Sequence, residues 1–338
     1  MCSSPPIATL TEGHMCTGAN YTTRDHYFGR NLDLEFSYNE TVTITPRNFP
    51  LEFRRAQTLS SHHAIIGMAT IADEYPLYYD ATNERGLSMA GLNFPENADY
   101  KPEVEGMVNI TPFEFIPWIL GQFETVAEVR AALANMNLVD ISFSAAFPLS
   151  PLHWIISDRE SSITVESVRS GLMVRDNPVG VLTNNPTFDI QLFGLNNYMQ
   201  LSAQPPQKSF SDDLDFDVYS RGMGAIGLPG DLSSASRFVK AAFTKLNSVS
   251  GDSESESISQ FFHILGSVAQ QRGCVEVSPG KFEITIYSSC CNTDRGVYYY
   301  TTYENSQITG VDMHREDLDA DQLVAYPLIT GQQIRMQN

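Results

Sequence analysis

Two strand-forming runs on either side of a short polar turn constrain this chain more than any other feature in it. Ala19–Thr22 and His26–Phe28 are β-prone, and Thr23-Arg24-Asp25 between them is polar enough to turn the chain back. A hairpin centred between Arg24 and Asp25 puts Cys16 opposite Asp33, with Arg30 three residues earlier on the same strand. Side chains alternate across a strand, so Arg30 and Asp33 point to opposite faces. A bulge or a strand end is then needed for both to meet Cys16.

The chemistry that suits these residues starts from an N-terminal cysteine. Met15-Cys16 reads as a translation start lying inside the chain, with residues 1–15 as an extension or propeptide ahead of one domain over 16–338. Once Met15 is gone, Cys16 carries both a thiol and a free α-amine. Such an amine titrates near pH ~8, so it can exchange protons with the thiol or with a leaving group. Arg30 favours the thiolate, and Asp33 holds the amine by a charge-assisted hydrogen bond. A small cysteine buried in a strand beside a surface ion pair is the competing reading of the same residues.

A chain of 338 residues is long enough for one large domain or two ordinary ones. No apolar run approaches the ~20 residues of a membrane span. The net charge of −19 argues against nucleic acid or an anionic membrane as partner. The five cysteines (Cys2, Cys16, Cys274, Cys290, Cys291) are odd in number and two are adjacent, which does not make a disulfide framework. No spacing suits zinc, and residues 1–14 lack the basic and apolar regions of a secretory signal. A reducing cytoplasm is the expected compartment.

From Cys16 to about Thr111 the texture is β, with runs at Val42–Thr45, His63–Thr70, Leu77–Ala81 and Leu87–Leu92. Helices follow. Pro112 fits a first helical position, Phe113, Ile116 and Leu120 form a stripe, and Pro117 is expected to kink or restart that helix. Thr125 and Glu128 form a capping box. Strands resume at Leu152–Ser157, Ile163–Ser167, Leu172–Arg175 and Gly180–Thr183, and Asp189–Gln207 reads as an irregular excursion suited to assembly or a lid. Ser233 or Ser234 caps a helix carrying Phe238, Ala242 and Leu246; another spans about Glu256–Gln270. A hairpin of Phe282–Ser289 and Val297–Tyr303 turns at Asn292–Gly296, and Ile308–Met313 adds a strand. Strands and helices in alternating blocks suit sheets packed between helical layers.

Three further residues fit the Cys16 chemistry. Asn93 offers a backbone N–H at a strand end, and Asn184 leaves a strand just before a proline with its amide free to enter a cleft. Two such donors make an oxyanion hole, typically worth ~3 kcal/mol each. Either asparagine equally suits a turn, bonded to its own backbone. Arg237 lies in the first turn of a helix, against the helix dipole, and so calls for an anionic partner; a salt bridge to Asp231 is the simplest one.

These residues carry a resemblance. Met15-Cys16-Thr17-Gly18, Phe28-Gly29-Arg30-Asn31-Leu32-Asp33, Gly91-Leu92-Asn93-Phe94, Leu182-Thr183-Asn184-Asn185-Pro186-Thr187-Phe188, and Gly227-Leu228-Pro229-Gly230-Asp231 with Ser236-Arg237-Phe238 are similar, in that order, to motifs of the choloylglycine hydrolase family. Within the family the chain most resembles bile salt hydrolases of intestinal Gram-positive bacteria, since penicillin V acylases tend to carry Tyr where this chain has Asn93.

The resemblance implies an α+β fold, the four-layer αββα sandwich of N-terminal nucleophile hydrolases. It also implies a cytoplasmic homotetramer that needs no metal or cofactor. The implied reaction is hydrolysis of the amide of glycine- and taurine-conjugated bile acids. The rivals are penicillin V or acyl-homoserine lactone acylase action, and a non-catalytic steroid binder whose Cys16 amine stays blocked. Cys16 becomes nucleophile and base, tuned by Arg30 and Asp33. Asn93 and Asn184 become the oxyanion donors, with Arg237 supporting the transition-state charge. The pocket walls fall at Leu32, Ile71, Ala72, Phe143 and Phe147, each of which also suits an ordinary core position. Members of the family begin Met-Cys, whereas fifteen residues precede Cys16 here. Cys2 does not lead into a family-like first strand, so Cys16 is the expected nucleophile.

Overall fold

The computed structural model describes residues 15–338. Cys2, and all of the expected extension except Met15, lie outside the described residues. The chain opens with the hairpin β1 (Met15–Thr22) and β2 (His26–Leu34), followed by β3 (Thr41–Thr45), β4 (Ile65–Ala72), β5 (Tyr75–Asn83), β6 (Ser88–Asn93) and β7 (Val108–Ile110). Helices α1 (Phe115–Gln122) and α2 (Val126–Leu133) come next. Then come β8 (Met136–Leu138), β9 (Leu152–Ser157), β10 (Ser162–Val168), β11 (Gly171–Asp176), β12 (Val181–Leu182) and α3 (Phe188–Gly194). After α4 (Ser234–Asn247) and α5 (Glu254–Gly266), the chain ends in strands β13 (Glu276–Ser278), β14 (Lys281–Phe282), β15 (Ile284–Asn292), β16 (Val297–Thr302), β17 (Asn305–Asp312) and β18 (Val324–Pro327).

Two antiparallel sheets dominate. One runs β12-β1-β2-β15-β16-β17; the other runs β11-β10-β9-β6-β5-β4-β3-β18. They pack face to face through β1, β2 and β12 of the first against β5, β6 and β9 of the second. Helices α4 and α5 cover the outer face of the first sheet, and α1 covers that of the second. The result is the α+β sandwich of four layers, αββα.

Burial on both faces explains why many strands read as continuous apolar runs. In β4, Ile66 and Met68 join the core between the sheets, whereas Ile65 and Ala69 join the separate core under α1 and α2. The period of two thus splits one strand between two cores. Gly29 of β2 is required by contact, since a Cβ there would lie 2.0 Å from the Ser289 carbonyl oxygen of β15.

Local signals survive well. The Thr125–Glu128 capping box forms with both of its hydrogen bonds, and β9 spans the expected residues. Three expectations are corrected. Helix α1 starts at Phe115 with Glu114 as its cap, so Pro117 falls in the first turn and neither kinks nor restarts it. The missing N–H there has no intrahelical partner to lose. Leu246 is 63% exposed, outside the buried stripe of α4. The expected irregular excursion of Asp189–Gln207 opens with regular structure in α3, and β18, unforeseen, pairs with β3 at the sheet edge.

Candidate active site

The site forms at the start of β1, where the first sheet ends. The hairpin closes one residue earlier than the symmetry of the turn suggests: Cys16 pairs with Leu32, Gly18 with Arg30 and Met15 with Asp33. The loop is the three residues Thr23–Asp25, which centres the turn on Arg24. Cys16 therefore does not lie opposite Asp33. Leu32 and Arg30 share its face, towards the second sheet, and Asp33 points to the helical side. No bulge in the hairpin is needed, because groups from both faces close around a strand end. A bulge does occur in β15, between Thr285 and Tyr287, and it sets Thr285 against Asp33.

On the inter-sheet side, Arg30 is fully buried. Its Nη1 donates to the Tyr79 carbonyl at 3.0 Å and to the Gly91 carbonyl, and its Nε donates to the Asn31 carbonyl at 3.3 Å. Cys16, Tyr287, the buried Asp80 of β5 and Asp33 act on it through space, and Asp80 accepts from Tyr287 (2.6 Å), Tyr298 (2.7 Å) and Ser289 (2.9 Å).

On the helical side, Arg237 reaches in from α4. Its Nη1 donates to the Cys16 carbonyl (2.6 Å) and to Thr17 Oγ1 (2.7 Å), its Nη2 to Asn184 Oδ1 (2.7 Å), and its Nε to the Leu232 carbonyl (3.0 Å). The expected salt bridge to Asp231 is not what Arg237 makes. Asp231 instead accepts from the Ser233 N–H and the Ser236 hydroxyl at the start of the helix. The anionic group that Arg237 answers is Asp33, acting through space.

Asn184 links the parts. Its Oδ1 accepts the Cys16 N–H at 2.8 Å, and its Nδ2 donates to the Asn93 carbonyl at 2.8 Å. The backbone N–H groups of Asn93 and Asp33 favour the charged form of the Cys16 thiol. All six residues Cys16, Arg30, Asp33, Asn93, Asn184 and Arg237 thus meet at one strand end.

The electrostatics differ from a simple Arg–thiolate pair. Burial pushes the Cys16 thiol up; Arg30 pulls it down, Asp33 raises it, and the two N–H donors lower it, with burial prevailing. Burial also raises Asp33 to about 6, opposed by Arg237, the Thr285 hydroxyl (2.6 Å from Oδ1) and Arg30. Its other oxygen, Oδ2, is buried without a hydrogen bond. Glu283 accepts the Met15 N–H at 2.5 Å and is raised to about 8 by burial and by the nearby Asp33. An uncut chain thus sets two carboxyl groups beside a neutral amide, with one buried carboxylate oxygen lacking a hydrogen bond.

The expected pocket residues divide. Leu32 is buried directly beside Cys16. Ile71 and Ala72 form the tip of the β4–β5 hairpin, facing Pro76 and Tyr75. Phe143 and Phe147 lie 6.1 Å apart, and Phe143 also contacts Tyr75 (6.1 Å) and Phe113 (5.1 Å). Arg54 stacks over Phe113 and Phe143. Sequence reasoning missed Phe113, Asp80, Glu283 and Thr285. Asp80 carried a signal, being a carboxylate within an otherwise apolar strand. Among the described residues no group of three or more His, Cys, Asp or Glu is arranged to hold a metal, and no helix is long and apolar enough to cross a membrane.

A sandwich of two sheets with a cysteine at the head of the first strand, ringed by two arginines, an aspartate and two asparagines, defines an amide hydrolase of the N-terminal nucleophile class. Residues 16–326 match the linear amide C–N hydrolases, choloylglycine hydrolase family, and the chain belongs to that family. It is 62% identical over 314 residues (93% of this chain, 97% of the relative) to a bile salt hydrolase/transferase of Lactiplantibacillus plantarum. Identity to a bile salt hydrolase/transferase of Clostridium perfringens is 42%, over 92% of this chain and 96% of that one. The crystal structure of an arginine-to-leucine variant of the conjugated bile acid hydrolase from Clostridium perfringens superposes with a TM-score of 0.88 at 40% identity, covering 96% of this chain and all of that one. A penicillin V acylase from Agrobacterium tumefaciens shares the fold, with a TM-score of 0.68 at 21% identity.

Proposed function

We propose that this chain hydrolyses the amide bond of glycine- and taurine-conjugated bile acids, with Cys16 as nucleophile after removal of Met15. The observation that carries the reading is the position of the Cys16 nitrogen, 2.8 Å from Asn184 Oδ1, at the strand end where Asn93, Asn184 and Arg237 are joined by hydrogen bonds. The freed amine takes the thiol proton, and Asp33 Oδ2 gains the hydrogen-bond donor that it lacks in the uncut chain. The thiolate attacks the amide carbon. The Asn93 N–H and the second amide hydrogen of Asn184 receive the oxyanion, and Arg237 polarises Asn184 from behind. The amino acid leaves with the proton from the Cys16 amine, and water then cleaves the thioester. A free amine can take the place of water in that last step, in keeping with the hydrolase/transferase name of the relatives.

The steroid would lie against Leu32, Ile71, Ala72, Phe143 and Phe147, joined by Tyr75 and Phe113 of the same aromatic group. Residues 16–338 would act as one catalytic unit, with residues 1–15 removed. A homotetramer in the cytoplasm completes the reading. Its support is the apolar surface of the segment between α3 and α4, including the end of α3, where Phe193 is 74%, Phe210 85% and Tyr219 81% exposed. Free Cys16, Cys274, Cys290 and Cys291 suit a reducing compartment.

The test is a paired assay on processed protein given glycocholate, taurocholate and penicillin V, measuring released glycine, taurine and penicillin nucleus. Faster turnover of penicillin V than of either bile salt overturns the substrate assignment in favour of an acylase. Sedimentation of the same sample reads the oligomeric state.

A further inference from the structure

His153, at the second position of β9, touches neither Cys16 nor any group assigned above to the reaction, yet it is fully buried and has partners on three sides. In register it faces Leu92, and its neighbour Leu152 faces Asn93, so β9 flanks the strand end that delivers the Asn93 N–H. The imidazole lies flat on Phe94, the next residue, with ring centroids 4.1 Å apart and planes 6° from parallel.

The ring nitrogens reach the other oxyanion segment. Nε2 donates to the Thr183 carbonyl at 2.8 Å, immediately before Asn184. Nδ1 meets Glu166 Oε1 at 3.2 Å, and that same oxygen accepts the Phe188 N–H at 2.9 Å. The loop carrying Asn184, Asn185, Pro186 and Thr187 is therefore gripped at both ends by one buried pair. Gln191 braces the inside of the loop, donating to the Asn184 and Pro186 carbonyls at 2.5 and 2.7 Å.

Two buried polar side chains could simply satisfy each other, and apolar residues of like volume would fill the space at no loss of stability. What apolar residues would not supply is direction: hydrogen bonds fix two chosen backbone groups, and a flat stack fixes a third residue. We propose that His153, backed by Glu166, is a positioning residue that sets the separation between the Asn93 N–H and the Asn184 side chain, and so acts on the chemical step alone. This rests on the oxyanion roles proposed for Asn93 and Asn184.

The experiment uses processed enzyme carrying His153→Phe, which keeps the stack on Phe94 and loses both hydrogen bonds. Glycocholate kcat is expected to fall about tenfold or more. KM stays within about twofold, and the rate of Cys16 alkylation by iodoacetamide falls by much less than kcat, because alkylation builds no oxyanion. His153→Gln, which retains a donor towards Thr183, recovers part of the lost kcat. Asn184→Ala, measured alongside, separates the two layers of the argument. If Asn184→Ala is slow and His153→Phe is as fast as wild type, the positioning role is overturned and the oxyanion reading stands. If Asn184→Ala itself keeps full kcat, the oxyanion reading falls and takes the proposal with it. Losses of kcat and alkylation by the same factor also overturn the proposal, since they mark general disruption. Should His153→Phe not fold, His153→Gln and Glu166→Gln carry the test, and full kcat in both overturns it.

Discussion

The backbone nitrogen of Cys16 donates to Asn184 Oδ1 at 2.8 Å in a chain where that nitrogen is still the amide of Met15. An amide has no basic lone pair, so protein retaining Met15 is expected to be folded and inactive. Protein started at Met15 and trimmed to Cys16 is expected to be fully active. Intact mass and glycocholate hydrolysis of the two forms decide it. Equal rates from a sample whose mass still includes residues 1–15 would show that the amine is not the base.

The nucleophile itself is checked by a pair of cysteine variants. Cys16→Ser is expected to lose at least about a thousandfold in kcat, because the hydroxyl is much harder to deprotonate than the thiol. Cys2→Ser, in a segment without family-like sequence, is expected to match wild type. Comparable losses in both would remove Cys16 from its role.

Arg237 holds four acceptors across the site. A lysine ammonium is a compact point charge and cannot span Cys16, Thr17 and Asn184 together. Arg237→Lys is expected to lose about a hundredfold in kcat/KM. Arg237→Ala, which strands buried acceptors and leaves Asp33 without its main opposing charge, is expected to cost about 3–5 kcal/mol in urea unfolding. A lysine variant with wild-type kinetics would make the guanidinium dispensable.

Acidity also enters the stability of the uncut chain. Burial raises Asp33 to about 6 and Glu283 to about 8, above ordinary values of 3.8 and 4.5. A carboxyl that binds its proton more tightly when folded contributes stability while the proton is bound. That contribution is complete below the ordinary values. It is lost as pH rises through about 6 for Asp33 and about 8 for Glu283. Between acid and alkaline buffers, full-length uncut protein should therefore lose more urea stability than its Asp33→Asn/Glu283→Gln variant. Identical pH slopes in the two proteins would refute the link.

Phe143 bridges Tyr75, Phe113 and Phe147. Phe143→Ala is expected to raise the glycocholate KM about tenfold, the value of one lost aromatic contact of about 1.4 kcal/mol. Cys16 alkylation should not change. An unaltered KM would move the steroid elsewhere.

Much of this was legible along the chain because its causes are short-ranged. The Thr125–Glu128 capping box needs only residues three apart, and the strand of Leu152–Ser157 needs only its own β-formers and flanking turn signals. The six site residues were each recognisable by type within their local motifs. Pro117 was misread as a break because its effect depends on where the helix begins, and Glu114 decides that from outside the stripe.

What local signals could not supply was the geometry among distant segments. A one-residue difference in the Thr23–Asp25 turn moves Asp33 off Cys16 and puts Leu32 in its place. A period of two makes such a slip reverse which face every side chain serves. Arg30 and Arg237 were visible as charges, but their acceptors lie 49 and 61 positions away for Arg30 and 220 and 221 for Arg237, among others nearer by. Burial then reversed the expected balance at Cys16, since the cost of charging a thiol depends on everything packed around it. Residue types named the chemistry; only the closing of two sheets around one strand end decided which charges face it and at what separation.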